Sequence, residues 1–599
     1  MCLLNGLSGV HLLDTMWNFS TQQNPLGMNN KTRRLMYSSQ FVDAIGSLRT
    51  WFLRDWWVLA IFILSAGFAI YPVLGGFNAR MIGPLGDNVQ YVYITGRVAE
   101  ALRSGQSIFS DPQLNYPDGL LLAATDVPFL SMLAAAPWTT LFGPVSGYNL
   151  IILFSHFLSG YFAYLWILNL TKSRLAGLIA GLSFLLAPFR IAHSYGHLQL
   201  VSTQFLPLFF WSLDNVLQSP TPGRRNLVLL ALATFAVGFS SQYYLAISLL
   251  SGIIYTILTA PRLKYLLFQG WKVVFSVGAG ALISSYPYLQ VALSQQLYNP
   301  YALEKIRLWS NSFLDFIMPP YTHALWGEAM TQLYPRDDWI EHSAYFGIAA
   351  LLLALAALVI KNHPNRRSAF TWFGVAVFAL VLALGTDIWI QNNPLQAEEP
   401  LWLPAAYLGR LPGLGLIRVW ARFSIIVSLF ASLLAGVGVA ALRERFRWSS
   451  TLIVLISGLV VLDLLPGNFQ SSSLYPRAID AWLAMQPEGY PVAFLQAGTE
   501  NYKTMYGSLY HDMQIPAYNH SIHRPQAYQE FREISADFPA AESIQSLRDY
   551  GFHYLILQHR WFREKSDGGW AEIEEIIVAR HDLEIIADEG GFVVVEIKN

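Results

Sequence analysis

Asp87 closes the run Gly83-Pro-Leu-Gly-Asp87-Asn88, and an amphipathic stretch from Val89 to Leu102 follows it directly. A carboxylate at such a junction can cap the helix that starts there. It can also serve as a general base toward a hydroxyl, or as a metal ligand. His193 and His197 are four residues apart, a spacing that puts two imidazoles on one helical face, as a shared metal ion requires. Pro188 and Gly196 interrupt that helix and no third ligand lies nearby in the chain. The pair could instead hydrogen-bond a phosphate or sugar, or sit at a wet helix end. Arg418 and Arg422 repeat the four-residue spacing. Guanidiniums there could clamp a phosphate and offset the charge that grows on it as it leaves, or snorkel to lipid headgroups. Gln242 and Tyr243 are polar residues at a tight break between two apolar runs and are further candidates for binding substrate or phosphate.

These residues are scattered over 599 positions, of which 54% are hydrophobic and only 13% charged. A soluble domain averages roughly a quarter charged, so lipid is the expected solvent for most of this chain and intrinsic disorder is excluded. A net charge of −1 offers no basic face for nucleic acid. The single cysteine, Cys2, excludes an internal disulfide and a cysteine zinc site. There is no Gly-x-x-x-x-Gly-Lys loop and no His-Glu-x-x-His run. The apolar segments carry almost no charge, which argues against a channel or proton-coupled pump.

A membrane-spanning helix needs about 20 mainly apolar residues. Eleven such segments are read near 55–75, 147–169, 175–190, 199–217, 226–240, 242–260, 270–289, 342–360, 370–387, 422–441 and 450–466. A further run at 127–143 holds Pro128 and Pro137. Leaving it out puts the basic clusters on alternate connections: Arg33 to Arg54, Lys172 and Arg174, Arg224 and Arg225, Arg262 and Lys264, Lys361 to Arg367, and Arg443 to Arg447. Cytoplasmic loops collect such residues. The expectation is a multi-pass protein of the inner or plasma membrane with a cytoplasmic N-terminus, and 127–143 lying in or dipping into the outer surface. Residues 1–50 form a poorly ordered cytoplasmic segment in this reading, and 51–466 the transmembrane domain, with outer loop 76–146. The tail, 467–599, contains β-type runs at 491–495, 553–557, 583–586 and 592–597, with helical spacing at 541–550 and 569–579. It is expected to be a soluble extracytoplasmic α/β domain. The polar residues of interest would then share the outer side, where aromatics such as Trp309, Trp326 and Trp339 could stack on sugar rings.

A basic approach, one span, then an outer loop with an acid just past the membrane resembles the GT-C superfamily of glycosyltransferases. The following amphipathic helix, the Tyr116-Pro117-Asp118-Gly119 turn and the 127–143 run are similar to that superfamily's first extracytoplasmic loop. So are the later pieces His193-Ser-Tyr-Gly-His197, Glu341 ahead of Tyr345-Phe-Gly, and Arg418-Val-Trp-Ala-Arg422-Phe. The resemblance covers about residues 50–466. It implies a GT-C-like fold and transfer of a sugar from a polyprenyl-phosphate donor to an acceptor glycan, lipid or protein outside the cytoplasm. Asp87 matches the catalytic acid of the first loop, and Glu341 joins the binding residues. Asn88 departs from the paired acids of some GT-C branches, which weakens the case for a metal. A divalent cation, Mg or Mn, could be held by Asp87 or by the acidic pair Asp337 and Asp338, which is otherwise simply solvated. The alternative is a non-catalytic carrier (a flippase) or a scaffold for lipid-linked envelope precursors.

Overall fold

The computed structural model describes residues 55–260, 263–293, 303–395, 403–411, 414, 417–447, 449–467, 470–487, 489–496, 500–518, 525–565 and 569–598. The N-terminal segment 1–50, with its basic cluster, lies outside the described residues. Each of the eleven apolar segments falls on helix. The helices are Asp55–Ala69, Pro144–Thr171, Arg174–Leu185 with Pro188–His193, Phe205–Gln218, Arg224–Ser240, Gln242–Thr259, Leu263–Leu293, Ile348–Val359, Arg366–Ala383, Ser424–Phe446 and Ser450–Asp463. Among the described residues, five stretches are long and apolar enough to cross a membrane by length and composition: Pro144–Thr171, Arg174–His193, Gln242–Thr259, Arg366–Ala383 and Trp420–Phe446. The helix Phe129–Phe142 has 14 residues, about 21 Å at 1.5 Å per residue, against a hydrocarbon core of about 30 Å. It packs on the helices before and after it, Asp87–Ser104 and Pro144–Thr171.

The helices run between two distinct ends. Asp55, at the start of the first helix, accepts from Arg174 Nε at 2.7 Å, and Arg367 donates to the Thr259 carbonyl at 3.2 Å. At the other end Asn149 donates to the Phe77 and Arg80 carbonyls at 2.9 and 2.7 Å. The connections there interlock. Gly83, with φ +88°, lies so close to Tyr195 that a Cβ would stand 2.5 Å from its carbonyl oxygen, so only glycine fits. The bundle is less apolar inside than its segments suggest. Arg190, fully buried, donates to Thr203 Oγ1 at 2.7 Å and the Leu185 carbonyl at 2.9 Å. Asp214 accepts from Tyr255 and Gln218, both at 2.8 Å. Both of these charged side chains have local partners, which is what burial in an apolar medium demands.

The tail holds a four-stranded sheet in the order Val492–Leu495, Tyr554–Gln558, Phe592–Ile597, Leu583–Glu589, the first pair parallel and the others antiparallel. Alternate side chains of a strand face opposite ways. Ala493, Leu495, Leu555, Leu557, Val593 and Val595 pack under the tail's own helices. Phe494, Ile556 and Val594 join a second core with Val89, Val92 and Leu114 of the first loop. Both faces of Val492–Leu495, Tyr554–Gln558 and Phe592–Ile597 are therefore buried, which explains why these three strands are mainly apolar, while the edge strand Leu583–Glu589 alternates buried with more exposed residues. Arg80–Ile82 also pairs with Ser471–Ser473. The tail is packed into the first loop.

Candidate active site

The helix Asp87–Ser104 is started by its neighbours rather than by Asp87. Gly86 is the N-cap and makes no side-chain bond. Asn88 turns back instead: Oδ1 accepts from the Gly86 and Val89 amides, each at 3.0 Å, while Nδ2 donates to the Ile82 and Pro84 carbonyls at 2.9 and 2.8 Å. An aspartate at 88 could not make those two donations, which gives the departure from a paired acid a structural cause. The capping role open to Asp87 from sequence is therefore not the one it plays. Its half-exposed carboxylate accepts from Tyr502 of the tail at 2.5 Å and lies 3.8 Å from His197 Nε2.

Pro188 starts a short helix, Pro188–His193, and a turn separates it from Leu198–Val201. His193 and His197 thus do not share a continuous helix, yet their Nδ1 atoms are 3.1 Å apart. His193 is fully buried with its ring against Phe189, and its Nε2 is 3.8 Å from Glu341 Oε2. Glu341 comes from the connection before helix Ile348–Val359, which is why no third group was visible near the histidines in sequence. Arg422 takes both of its oxygens, Nε at 3.0 Å and Nη2 at 2.5 Å. Burial pushes the Glu341 carboxyl up, but the Arg422 guanidinium more than reverses this and holds it well below the usual carboxylate range. Burial pushes His197 down, toward neutral imidazole. A continuous line of groups results, Asp87, His197, His193, Glu341 and Arg422, running from half-exposed to buried.

The other sequence candidates divide. The Tyr243 ring lies 4.9 Å from Arg422 Cζ, and its hydroxyl accepts from the Val419 amide and donates to the Val419 carbonyl, each at 2.7 Å. Tyr243 supports the arginine. Gln242 spends its side chain on helix packing, donating to the Gly238 and Ser284 carbonyls at 2.8 and 3.2 Å. Arg418 and Arg422 do not act as a pair. Trp420–Phe423 is a 3-10 turn, so the four-residue spacing does not align them, and Arg418 lies over Trp309 at 5.8 Å. Asp338 accepts from Trp309 Nε1 at 2.9 Å, and burial followed by Glu341 raises its carboxyl. Asp337 is exposed, with its amide on Asn392.

Sequence reading missed two residues. Asp126 accepts from Ser241 Oγ at 2.5 Å and the Gln242 amide at 2.8 Å, pinning the start of the helix that carries Tyr243. Burial pushes its carboxyl up. Its only signal was a lone acid ahead of an apolar run. Tyr502 carried none. Beside the cluster, a cavity of about 320 Å³ is lined by Asp315, Tyr321, Tyr334, Arg336, Trp339 and His342 among others, and Trp339 stacks edge-on against Tyr195 at 5.3 Å.

A family model described as a domain of unknown function, DUF6311, matches residues 56–465. No curated protein matches the chain. Among solved structures, the arabinofuranosyltransferase AftD from Mycobacteria is similar at a TM-score of 0.53 and 14% identity, over 91% of this chain and 42% of that one. The oligosaccharyltransferase AglB from Archaeoglobus fulgidus, solved with an inhibitory peptide and a dolichol-phosphate, has a TM-score of 0.44 and 13% identity, over 85% and 70%. ArnT from Cupriavidus metallidurans, bound to undecaprenyl phosphate, has 0.40 and 14%, over 90% and 98%. These neighbours are GT-C glycosyltransferases, and the likeness to AftD is one of fold, with this chain spanning less than half of AftD's length.

Proposed function

The chain belongs to the DUF6311 family, and we propose that it is a membrane glycosyltransferase that moves a sugar from a polyprenyl-phosphate donor to an acceptor hydroxyl on the extracytoplasmic face. One observation carries this reading: a half-exposed carboxylate, Asp87, stands 3.8 Å from His197 at the head of a line of groups that ends on the buried Glu341–Arg422 pair. In the proposed step the acceptor oxygen bonds to the sugar's anomeric carbon and the bond from that carbon to the carrier phosphate breaks. The hydroxyl proton passes to Asp87 and the electron pair leaves on the phosphate. Tyr502 orients Asp87, and Arg418 meets the departing phosphate. Arg422, already committed to Glu341, holds the cluster in place. The basic residues at the opposite end of the bundle, Arg174 and Arg367 among them, support a cytoplasmic position for that end. The cluster and tail then face outward.

Purified protein, labelled polyprenyl-phosphate sugars and candidate acceptors test the reading. The wild type should cleave the donor. Asp87→Asn should lose about 10²–10⁴-fold in turnover with an unchanged unfolding midpoint. Full activity in that variant removes Asp87 from the mechanism. Movement of the labelled lipid across a vesicle membrane without cleavage would make the protein a carrier.

A further inference from the structure

The two histidines and Glu341 each offer one ligand atom, and those atoms all lie within 4.8 Å of one another. Two gaps within the cluster are too long for hydrogen bonds. His193 Nε2 is 3.8 Å from Glu341 Oε2 and His197 Nε2 is 3.8 Å from Asp87 Oδ2, both beyond the roughly 3.2 Å limit of a good N–H···O bond. His193 Nε2 is fully buried and has no hydrogen-bond partner, a costly state for a polar nitrogen. Ligand atoms held about 2.0–2.2 Å from one tetrahedral ion stand roughly 3.3–3.6 Å apart. The 3.8 Å between His193 Nε2 and Glu341 Oε2 is close to that value, and His197 offers the third ligand atom of the set.

We propose that His193, His197 and Glu341 bind a divalent transition-metal ion of the zinc class. Two imidazoles and one carboxylate form a set that suits zinc and its neighbours, whereas magnesium prefers an all-oxygen shell. Of the metal readings open in sequence, the set favours the histidine pair over the acids: Asp337 takes no part, and Asp87 stands behind His197 at 3.8 Å, on the side an outer carboxylate takes at a ligating ring. The ion would act as a Lewis acid toward a phosphoryl oxygen. Arg422 offsets the Glu341 charge, so the centre is net positive and selects an anionic headgroup. That role deepens the glycosyl-transfer reading and rests on it; the binding itself does not.

The test uses the full chain in detergent, stripped with chelator and dialysed against zinc, cobalt or magnesium chloride. Elemental analysis should find about one zinc per chain, undisplaced by a large excess of magnesium. Cobalt should give the visible absorption of a tetrahedral site, and zinc but not magnesium should raise the unfolding midpoint of the wild type. His197→Gln should weaken zinc binding at least about 100-fold, with the metal-free variant unfolding at the wild-type midpoint. Zinc far below one per chain, displacement by magnesium, or undiminished binding in both His197→Gln and His193→Gln overturns the proposal. Protein that holds zinc but transfers sugar equally well without it keeps the site and refutes the Lewis-acid role, and protein that holds zinc but cleaves no donor refutes the transferase alone.

Discussion

Asp315 and Glu341 are buried carboxylates in the same long connection, and each lies against an arginine. Arg422 gives its Nε and Nη2 to Glu341. Arg336 is divided: it meets Asp315 at 3.1 Å but also donates to the Gln391 carbonyl, to Asn392 Oδ1 at 3.2 Å and to the Ser310 carbonyl at 3.3 Å. Burial pushes the Asp315 carboxyl up to about 6 against the pull of Arg336, whereas Glu341 is held down. Burial alone does not decide a carboxylate's charge; the undivided attention of a cation does. Arg336 is a strap across three loop segments, and Arg422 is the fixed counter-charge of the cluster.

The comparison breaks most directly at Arg422. Arg422→Met should destabilise the protein by about 3–5 kcal/mol, because a buried carboxylate loses its partner. Glu341→Met combined with Arg422→Met should recover most of that loss. Chemical denaturation in detergent reads both. A double variant no better than the single would mean that the pair's position, not its charge balance, holds the loop.

Next comes pH. Asp315 binds its proton more tightly in the folded chain, at about 6 against 3.8. Its contribution of about 3 kcal/mol is complete below 3.8 and gone once pH has risen through about 6. Stability measured from pH 4 to 7 should therefore fall in the wild type relative to Asp315→Asn. Parallel curves would show that Arg336 commits as fully as Arg422 does.

The smallest effect is at the exposed end of the line. Tyr502→Phe removes one hydrogen bond to a half-exposed acid and should change stability by no more than about 1 kcal/mol, while lowering turnover measurably. Unchanged turnover would leave the tail without a part in orienting Asp87.

Much of the architecture was legible without coordinates. An apolar run is a local property, and all eleven read from sequence overlap helix, with five stretches among the described residues long and apolar enough to cross a membrane. The tail's four β-type runs lie on strands. The site was less legible. Asp87, His193, His197, Glu341 and Arg422 were all candidates, but the Arg418–Arg422 spacing misled because a 3-10 turn advances by three residues, not 3.6. Gln242 looked exposed at a turn and is spent on helix packing. Asp126 and Tyr502 matter through partners 115 and 415 positions away, and no local pattern records such a partner.

Composition and hydrophobic runs were enough to decide that this chain is a helical membrane protein, since the cost of placing a residue in lipid is set largely residue by residue. Which loops meet was decided by the packing of the bundle. A single imidazole or carboxylate is chemically ambiguous, and its role is set by groups a few ångströms away that the chain brings there only once its helices and tail have closed on one another.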